Sequence, residues 1–410
     1  MSTLARVLLA TFCLSAALCA LRCARGVVSP AQRAVRIFVT DTRLDRLPFY
    51  SAAVKEHQAV GPTVWLATGD PFADRRLRAF GDGAAEVALL SRAGVDAVVL
   101  TPEWLSFGLH RLGELVSKGR YYALSPSLLD ATGHTIGHPF MVRKSGSAVL
   151  AITGLALDSA NVLARLNGVR SVAPGLAAGK ALALMRQRAD LVGAMVEPGG
   201  TGLTWGADFT VNVSRAGAFA MSHSLDSGRI GCYDLNGDAS RLIAGFVDLD
   251  RSGPDSIVGQ LLDSVRAAVD SLAARPLRSP RRPWDAIRLS NVLVQGMLAV
   301  GLADGFMCDS LFATEFRTPQ DVGALIALLR DPGRLAILPV SGEVLGGWAP
   351  ELVLRPGLAR AKLTRGQTYR VATTLDYLRR HPDIAASGFD LSDRQLWTIC
   401  RDILESGRAE

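Results

Sequence analysis

Three acidic side chains stand where an apolar, strand-like run gives out. Asp41 closes the run 35–40, Asp70 follows the run 63–67 through Thr68-Gly69, and Glu103 follows the run 95–100 through Thr101-Pro102. In an open α/β sheet, ligands bind in the crevice beyond the carboxyl ends of the strands. Carboxylates gathered there suit a hard cation such as Mg²⁺ or Ca²⁺, which takes oxygen ligands. Two metals ~3.5–4 Å apart would clamp both the attacking and the leaving oxygen of a phosphate displacement. Spacing alone also fits a plainer role, because Asp and Glu are common turn and N-cap residues in βα loops.

Other chemistry-bearing residues have plainer readings. The six histidines, at 57, 110, 134, 138, 223 and 381, form no HxH or HExxH pattern. His134 and His138 are four apart, but Gly137 and Pro139 argue against a helix that would align them. The segment Glu197-Pro198-Gly199-Gly200-Thr201-Gly202 could cradle an anion with its amides, and a Pro/Gly turn accounts for it equally. Asp234 to Asp238 contains Asn236-Gly237, a hairpin signal, and lacks the downstream Glu of a calcium loop. Cys232, Cys308 and Cys400 have no ligand spacing and read as small buried hydrophobes. A disulfide between two of them stays open in an oxidising compartment.

The elements that must position these residues alternate along the chain. VRIFVT (35–40), TVWLA (63–67), VDAVVL (95–100) and AVLAITG (148–154) read as buried strands. Helices are expected over 49–58, over 83–93 with Val87, Leu89 and Leu90 inward, and over 174–192. Strands return over 207–213 and 229–249. Ser256 to Ala274 then forms an amphipathic helix with Ile257, Leu261, Val265, Val269 and Leu272 on one face. RPLRSPRRP (275–283) carries three prolines and four arginines and reads as a linker. Beyond it come a helix over 288–302 and a helix started by Thr318-Pro319-Gln320-Asp321, with Thr318 as N-cap and Pro319 at the first position. Strands follow over 335–340 and 369–374. The pattern predicts an α/β protein of two domains, 27–274 and 285–410, joined by the linker 275–284.

The segment Val35 to Gly154 resembles the metallophosphoesterase domain of the 5′-nucleotidase family. That family opens with Asp-x-His, which here is Asp41-Thr42-Arg43. Its second strand ends in Gly-Asp, intact as Gly69-Asp70 and followed by Pro71-Phe72. Its Gly-Asn-His-Glu-Phe-Asp-x-Gly aligns with Thr101 to Gly108, so Pro102 replaces the metal-binding Asn and Glu103 the catalytic His. Ser-His-x-Gly falls on Val196-Glu197-Pro198-Gly199, and Gly-His-Thr-His on Val213-Ser214-Arg215-Ala216. The C-terminal part is similar to the family's nucleotide-binding domain at 291–304, at Leu338 to Leu345 and at Thr368 to Thr373. Its Gly-Gly-x-Arg loop has no counterpart between Ser310 and Arg317. Its Gly-Gly-Asp-Gly loop is replaced by Arg379-Arg380-His381-Pro382-Asp383.

The resemblance implies a β-sandwich flanked by helices, followed by a smaller α/β domain. It implies metal ligands at Asp41, Asp70 and Glu197, and Glu103 in the catalytic position. Arg43 sets a permanent cation where a ligand belonged. The surviving oxygens suit one Mg²⁺ or Ca²⁺ rather than a two-metal centre. The expected function is therefore that of a degenerate member with lost or weak nucleotide hydrolysis, binding a nucleotide or another phosphate-bearing small molecule. A hydrolase with a remodelled metal site and a two-domain solute-binding protein are the alternatives.

The chain's start reads as a signal peptide, 1–26. Arg6 precedes an apolar run from Val7 to Leu21, and Ala24 and Gly26 suit cleavage before Val27. This places the protein in the periplasm or outer envelope. Lipidation of Cys19 or Cys23 would tether it to the membrane, although neither has a good lipobox. Without Arg6, Arg22 and Arg25 the formal charge falls from +7 to +4. No basic stripe is interleaved with aromatics, which excludes a nucleic-acid binder. The linker reading predicts that limited proteolysis of the mature chain cuts first between Arg275 and Arg282. Early cuts within 95–155 would contradict that division.

Overall fold

The computed structural model describes residues 33–145, 148–156, 161–196, 207–212, 229–236, 242–249, 253–277, 285–313, 316–348, 352–359 and 362–406. The signal-peptide segment, Glu197 to Thr201, Val213 to Ala216 and most of the linker lie outside them.

The first half begins with β1 (Arg33–Asp41), α1 (Leu47–Gln58) and β2 (Thr63–Thr68). Next come α2 (Arg75–Gly81), α3 (Ala84–Ala93) and β3 (Ala97–Val99). A 3-10 turn, Pro102–Phe107, leads into α4 (Leu109–Lys118) and β4 (Tyr122–Leu124). Short β5 (Leu128–Asp130) is followed by the hairpin of β6 (Met141–Ser145) and β7 (Ala148–Leu155). Then follow β8 (Val169–Ser171), α5 (Pro174–Arg186), β9 (Leu191–Val196) and β10 (Phe209–Asn212). The half closes with β11 (Arg229–Asn236), β12 (Leu242–Asp248) and α6 (Ser256–Ala273).

Two sheets stack in this half, one of order β12-β11-β1-β2-β3-β4 and one of order β10-β9-β7-β6. Alternate side chains of the central strands serve two cores. Val35, Ile37, Val39, Val64 and Leu66 face the second sheet's Leu150, Ile152, Leu191 and Met195. Phe38, Trp65 and Ala67 face the helices. Burial on both faces explains why β1 and β2 are mostly apolar rather than alternating. The expected β-sandwich is thus present, and β7 belongs to its second sheet.

The second half comprises α7 (Ala286–Ala299), β13 (Gly305–Met307), α8 (Val322–Leu328) and β14 (Arg334–Ser341). It continues with α9 (Gly342–Gly347), β15 (Leu352–Leu354), β16 (Thr368–Thr374) and α10 (Leu375–Arg380). It ends with β17 (Asp390–Gln395) and α11 (Leu396–Glu405). Its sheet has the order β15-β13-β16-β14-β17.

Several expectations need correction. The helix begun at Pro174 stops at Arg186 rather than 192, because Leu191–Val196 is drawn into the second sheet against β7. On α6, Val269 is buried and Leu261 and Val265 pack against the core as expected, but Val258, Leu262 and Ala273 join the buried face and Ile257 is exposed. The true N-cap of α8 is Asp321, whose side chain accepts the Ala324 amide at 2.7 Å. Thr318 cannot serve, because Gln320 accepts the Leu277 amide and Pro276 bridges Asp321, which keeps the approach extended. The same bonds show that 275–277 is fastened to the second half, with Leu277 buried.

One buried ion pair braces the first sheet. Arg36 of β1 donates to both oxygens of Asp234 on β11, at 2.6 and 2.7 Å, and its Nη1 lies 2.8 Å from His57 Nδ1. Asp234 therefore serves the hairpin rather than a calcium loop. Removing one partner of a buried pair strands the other charge and costs about 3–5 kcal/mol. Asp234→Ala is expected to lower the unfolding free energy from a denaturant titration by that amount, and an unchanged value would show that water reaches Arg36.

Candidate functional site at the strand ends

Residues 36–41 of β1 pair in parallel with 63–68 of β2, and Asp41 sits opposite Thr68. Their carboxyl ends therefore finish together. Asp41 Oδ1 accepts the Arg43 amide at 3.1 Å in a tight turn. Its Oδ2 is buried without a hydrogen bond among the described residues, 4.0 Å from Arg43 Nε. Burial raises the Asp41 pKa, while the Arg43 amide, the nearby Tyr50 hydroxyl and the Arg43 charge pull it back. Burial, then the charge of Asp41, holds the Tyr50 phenol well above its ordinary value.

Gly69 turns the chain out of β2 with φ +109°, a conformation that favours glycine. A Cβ there would lie 3.4 Å from Thr42 Oγ1, so the two strand-end loops run side by side. Asp70 Oδ1 accepts the Phe72 amide at 2.9 Å. Phe72 is fully buried and packs edge-on against Trp104 and Phe107, with centroids 4.8 and 4.6 Å away. The segment Asp70-Pro71-Phe72 is thereby anchored to the Pro102–Phe107 turn that carries Glu103. Glu103 Oε1 accepts Asn161 Nδ2 at 3.3 Å.

Asp70 also has a raised pKa. Burial is the main cause, the Phe72 amide and Arg78 oppose it, Glu103 adds to it, and Arg379 opposes it. Asp70 and Glu103 thus feel each other's charge, and Arg379 reaches Asp70 from the second half. Asp41, Asp70 and Glu103 share one edge of the sheet, and Glu197 lies outside the described residues. Among the described residues no three of His, Cys, Asp and Glu come together in a way that could hold a metal ion. The described donors alone do not complete a metal site.

Three members of this site escape the sequence reading. Arg78 lies on α2, a helix whose one written signal is Asp74, the N-cap that accepts the Arg76 and Leu77 amides. Arg379 stands out in sequence only as a departure from a loop. Glu86 lies behind the site on α3, fully buried, with neither carboxylate oxygen hydrogen-bonded among the described residues. His134 and His138 are loop residues, bonded through their backbones to Asp130 and Ala123. Cys232 and Cys400 are buried, and Cys308 is half-buried. Burial, then the charge of Asp309, pushes Cys308 up to about 12, which leaves it unreactive.

No protein-family model matches the chain, and no curated protein matches it. Among solved structures, a putative 5′-nucleotidase from Staphylococcus aureus, determined in complex with α-ketoglutarate, aligns over 92% of this chain and 97% of that one. The identity is 13% and the TM-score 0.56. The chain has the 5′-nucleotidase fold. A 5′-nucleotidase precursor from Thermus thermophilus covers 91% of this chain and 96% of its own at 13% identity, superimposing more loosely with a TM-score of 0.49. The nucleotidase fold accounts for both the stacked sheets and the smaller second half. Among the described residues, no helix is long and apolar enough to cross a membrane.

Glu86 yields a pH-dependent expectation. Burial first, then the charge of Asp74, lifts its pKa from 4.5 to about 7. The folded state therefore holds this proton more tightly than the unfolded chain does. The resulting stability is complete below pH 4.5 and is lost as pH rises through 7. At about 1.4 kcal/mol per pKa unit, the loss approaches roughly 3 kcal/mol by pH 8. Glu86→Gln keeps the neutral shape, so its melting temperature should fall less than the parent's between pH 5 and 8. Identical pH slopes for the two proteins would refute a neutral Glu86.

Proposed function

We propose that this chain is an exported protein of the 5′-nucleotidase fold that binds a phosphate-bearing small molecule and hydrolyses nucleotides weakly or not at all. One observation carries this reading. Each family carboxylate that remains feels the positive charge of at least one guanidinium. Arg43 lies against Asp41, and Arg78 and Arg379 act on Asp70. Permanent cations supply the charge neutralisation that metals give in the family, but they cannot activate water as a metal does. Pro102 offers no side-chain ligand, and Glu103 brings negative charge where a His would assist a phosphate. The ligand is a nucleotide or a smaller phosphate compound. Periplasmic or outer-envelope placement follows from the start of the sequence, with Cys19 or Cys23 as a lipid tether in one version of it.

A second reading keeps hydrolysis, with one Mg²⁺ or Ca²⁺ on Asp41, Asp70 and Glu197. It is favoured by Asp41 Oδ2, which is buried and lacks a hydrogen bond among the described residues. The solute-binding alternative finds no support in the fold.

A steady-state assay separates the two readings. The mature protein is offered AMP, ADP and UDP-sugars with Mg²⁺, Mn²⁺, Ca²⁺, Co²⁺ or Zn²⁺, beside an Asp70→Asn control. The expected outcome is no turnover above the control. Metal-dependent turnover abolished by Asp70→Asn would replace the binding reading with the remodelled hydrolase.

A further inference from the structure

Between the two halves lies a cleft of about 220 Å³ walled by five arginines, Arg75, Arg78, Arg330, Arg334 and Arg379. Arg75 and Arg78 stand three apart on α2, so they share a face. Arg330 and Arg334 flank the turn before β14, and Arg379 lies on α10. Two of the five are neutralised locally. Arg330 lies 3.7 Å from Asp376, and Arg334 lies 3.1 Å from Asp82.

The other three make no ion pair among the described residues. Arg75 donates to the backbone carbonyls of Leu329 and Arg330. Arg78 donates to Ser106 Oγ at 2.8 Å and lies over the Phe107 ring, 5.6 Å from its centroid. Arg379 acts on Asp70 through its charge alone. The remaining acid of the wall is Asp331, whose Oδ1 is taken by the Gly333 amide. Five cations thus face three carboxylates across a narrow space, with Asp70 nearby. Such a cleft focuses positive potential, and guanidinium forks match the oxygens of phosphate and carboxylate.

We propose that this cleft binds a small, multiply charged oxyanion, gripped by Arg75 and Arg78 from the first half and Arg379 from the second. The proposal refines the binding reading above by naming the grip and the ligand's size. Pockets for drug-sized ligands span ~300–1,000 Å³, so this smaller one suits a pyrophosphate-sized group rather than a whole nucleotide. The grip uses neither the family's glycine loops nor the strand-end carboxylates. It therefore requires no metal. Because the cations come from both halves, a bound anion also ties the halves together.

Isothermal titration of the mature chain tests this, with sodium pyrophosphate and with succinate as separate probes. Both titrations are run in EDTA at constant ionic strength, so the result is independent of any residual metal or turnover. Saturable binding is expected, and the tighter probe assigns the phosphate or the carboxylate source. Arg379→Ala and Arg75→Ala should each weaken it at least tenfold. Arg76→Ala, on the same helix but directed at Asp270, should leave it unchanged. Arg379→Gln replaces any alanine variant whose melting temperature shows misfolding. Failure of both probes to saturate overturns the proposal, as does unaltered affinity without Arg379 or equal weakening without Arg76. A hydrolytically inert protein that also fails to bind would leave the assay result standing and remove the cleft alone.

Discussion

The parallel pairing of β1 with β2 is the constraint on which the rest depends. Both strands are buried on both faces, so no polar side chain can be housed along most of their length without a partner. Arg36 has such partners in Asp234 and His57, and Thr40 has one in the Trp65 indole. Solvent-directed chemistry is pushed to the place where the strands run out. That place is fixed by the register that sets Asp41 opposite Thr68. The helices on one face and the second sheet on the other hold that register by filling alternate side-chain rows.

The second half acts on this edge through charge and packing. Leu391 approaches Gly108, and the Asn167 amide donates to the Phe389 carbonyl at 2.8 Å. Asp82 of the first half takes Arg111 from its own side and Arg334 and Gln395 from the other. With the halves held so closely, Arg379 adds a small opposition to the burial that raises the Asp70 pKa. The competition among burial, Glu103 and two arginines sets how much negative charge this edge presents.

The central strands were legible because two-sided burial demands mostly apolar, non-alternating runs. Asp41 and Gly69-Asp70 were legible because strand ends are where carboxylates can be used. Other features depend on partners distant in sequence. Thr318 looked like a cap until the backbone of 275–277 claimed the residues after it, which left the role to Asp321. The stripe of α6 holds at Leu261, Val265 and Val269 and fails at Ile257, which is as apolar as Val258, so only the packing of neighbouring helices chooses between them. α2 was missed because RRLRAFG buries only Leu77 and Ala79 and shows almost no apolar period. The arginine-walled cleft was illegible because its parts lie roughly three hundred positions apart and meet only when both halves are built.

The Trp397 indole donates to the Ala79 carbonyl at 3.1 Å across 318 positions, and Gln395 reaches Asp82 across 313. These bonds fasten the end of α2 to the last strand and helix of the chain. The order of synthesis therefore matters. Loop closure over so long a stretch comes late and slowly. Until β17 and α11 are in place, α2 lacks its outer support. A first half buttressed in this way completes its packing only when the second half has formed. Assembly of the two halves is therefore expected to be one concerted event rather than two in succession.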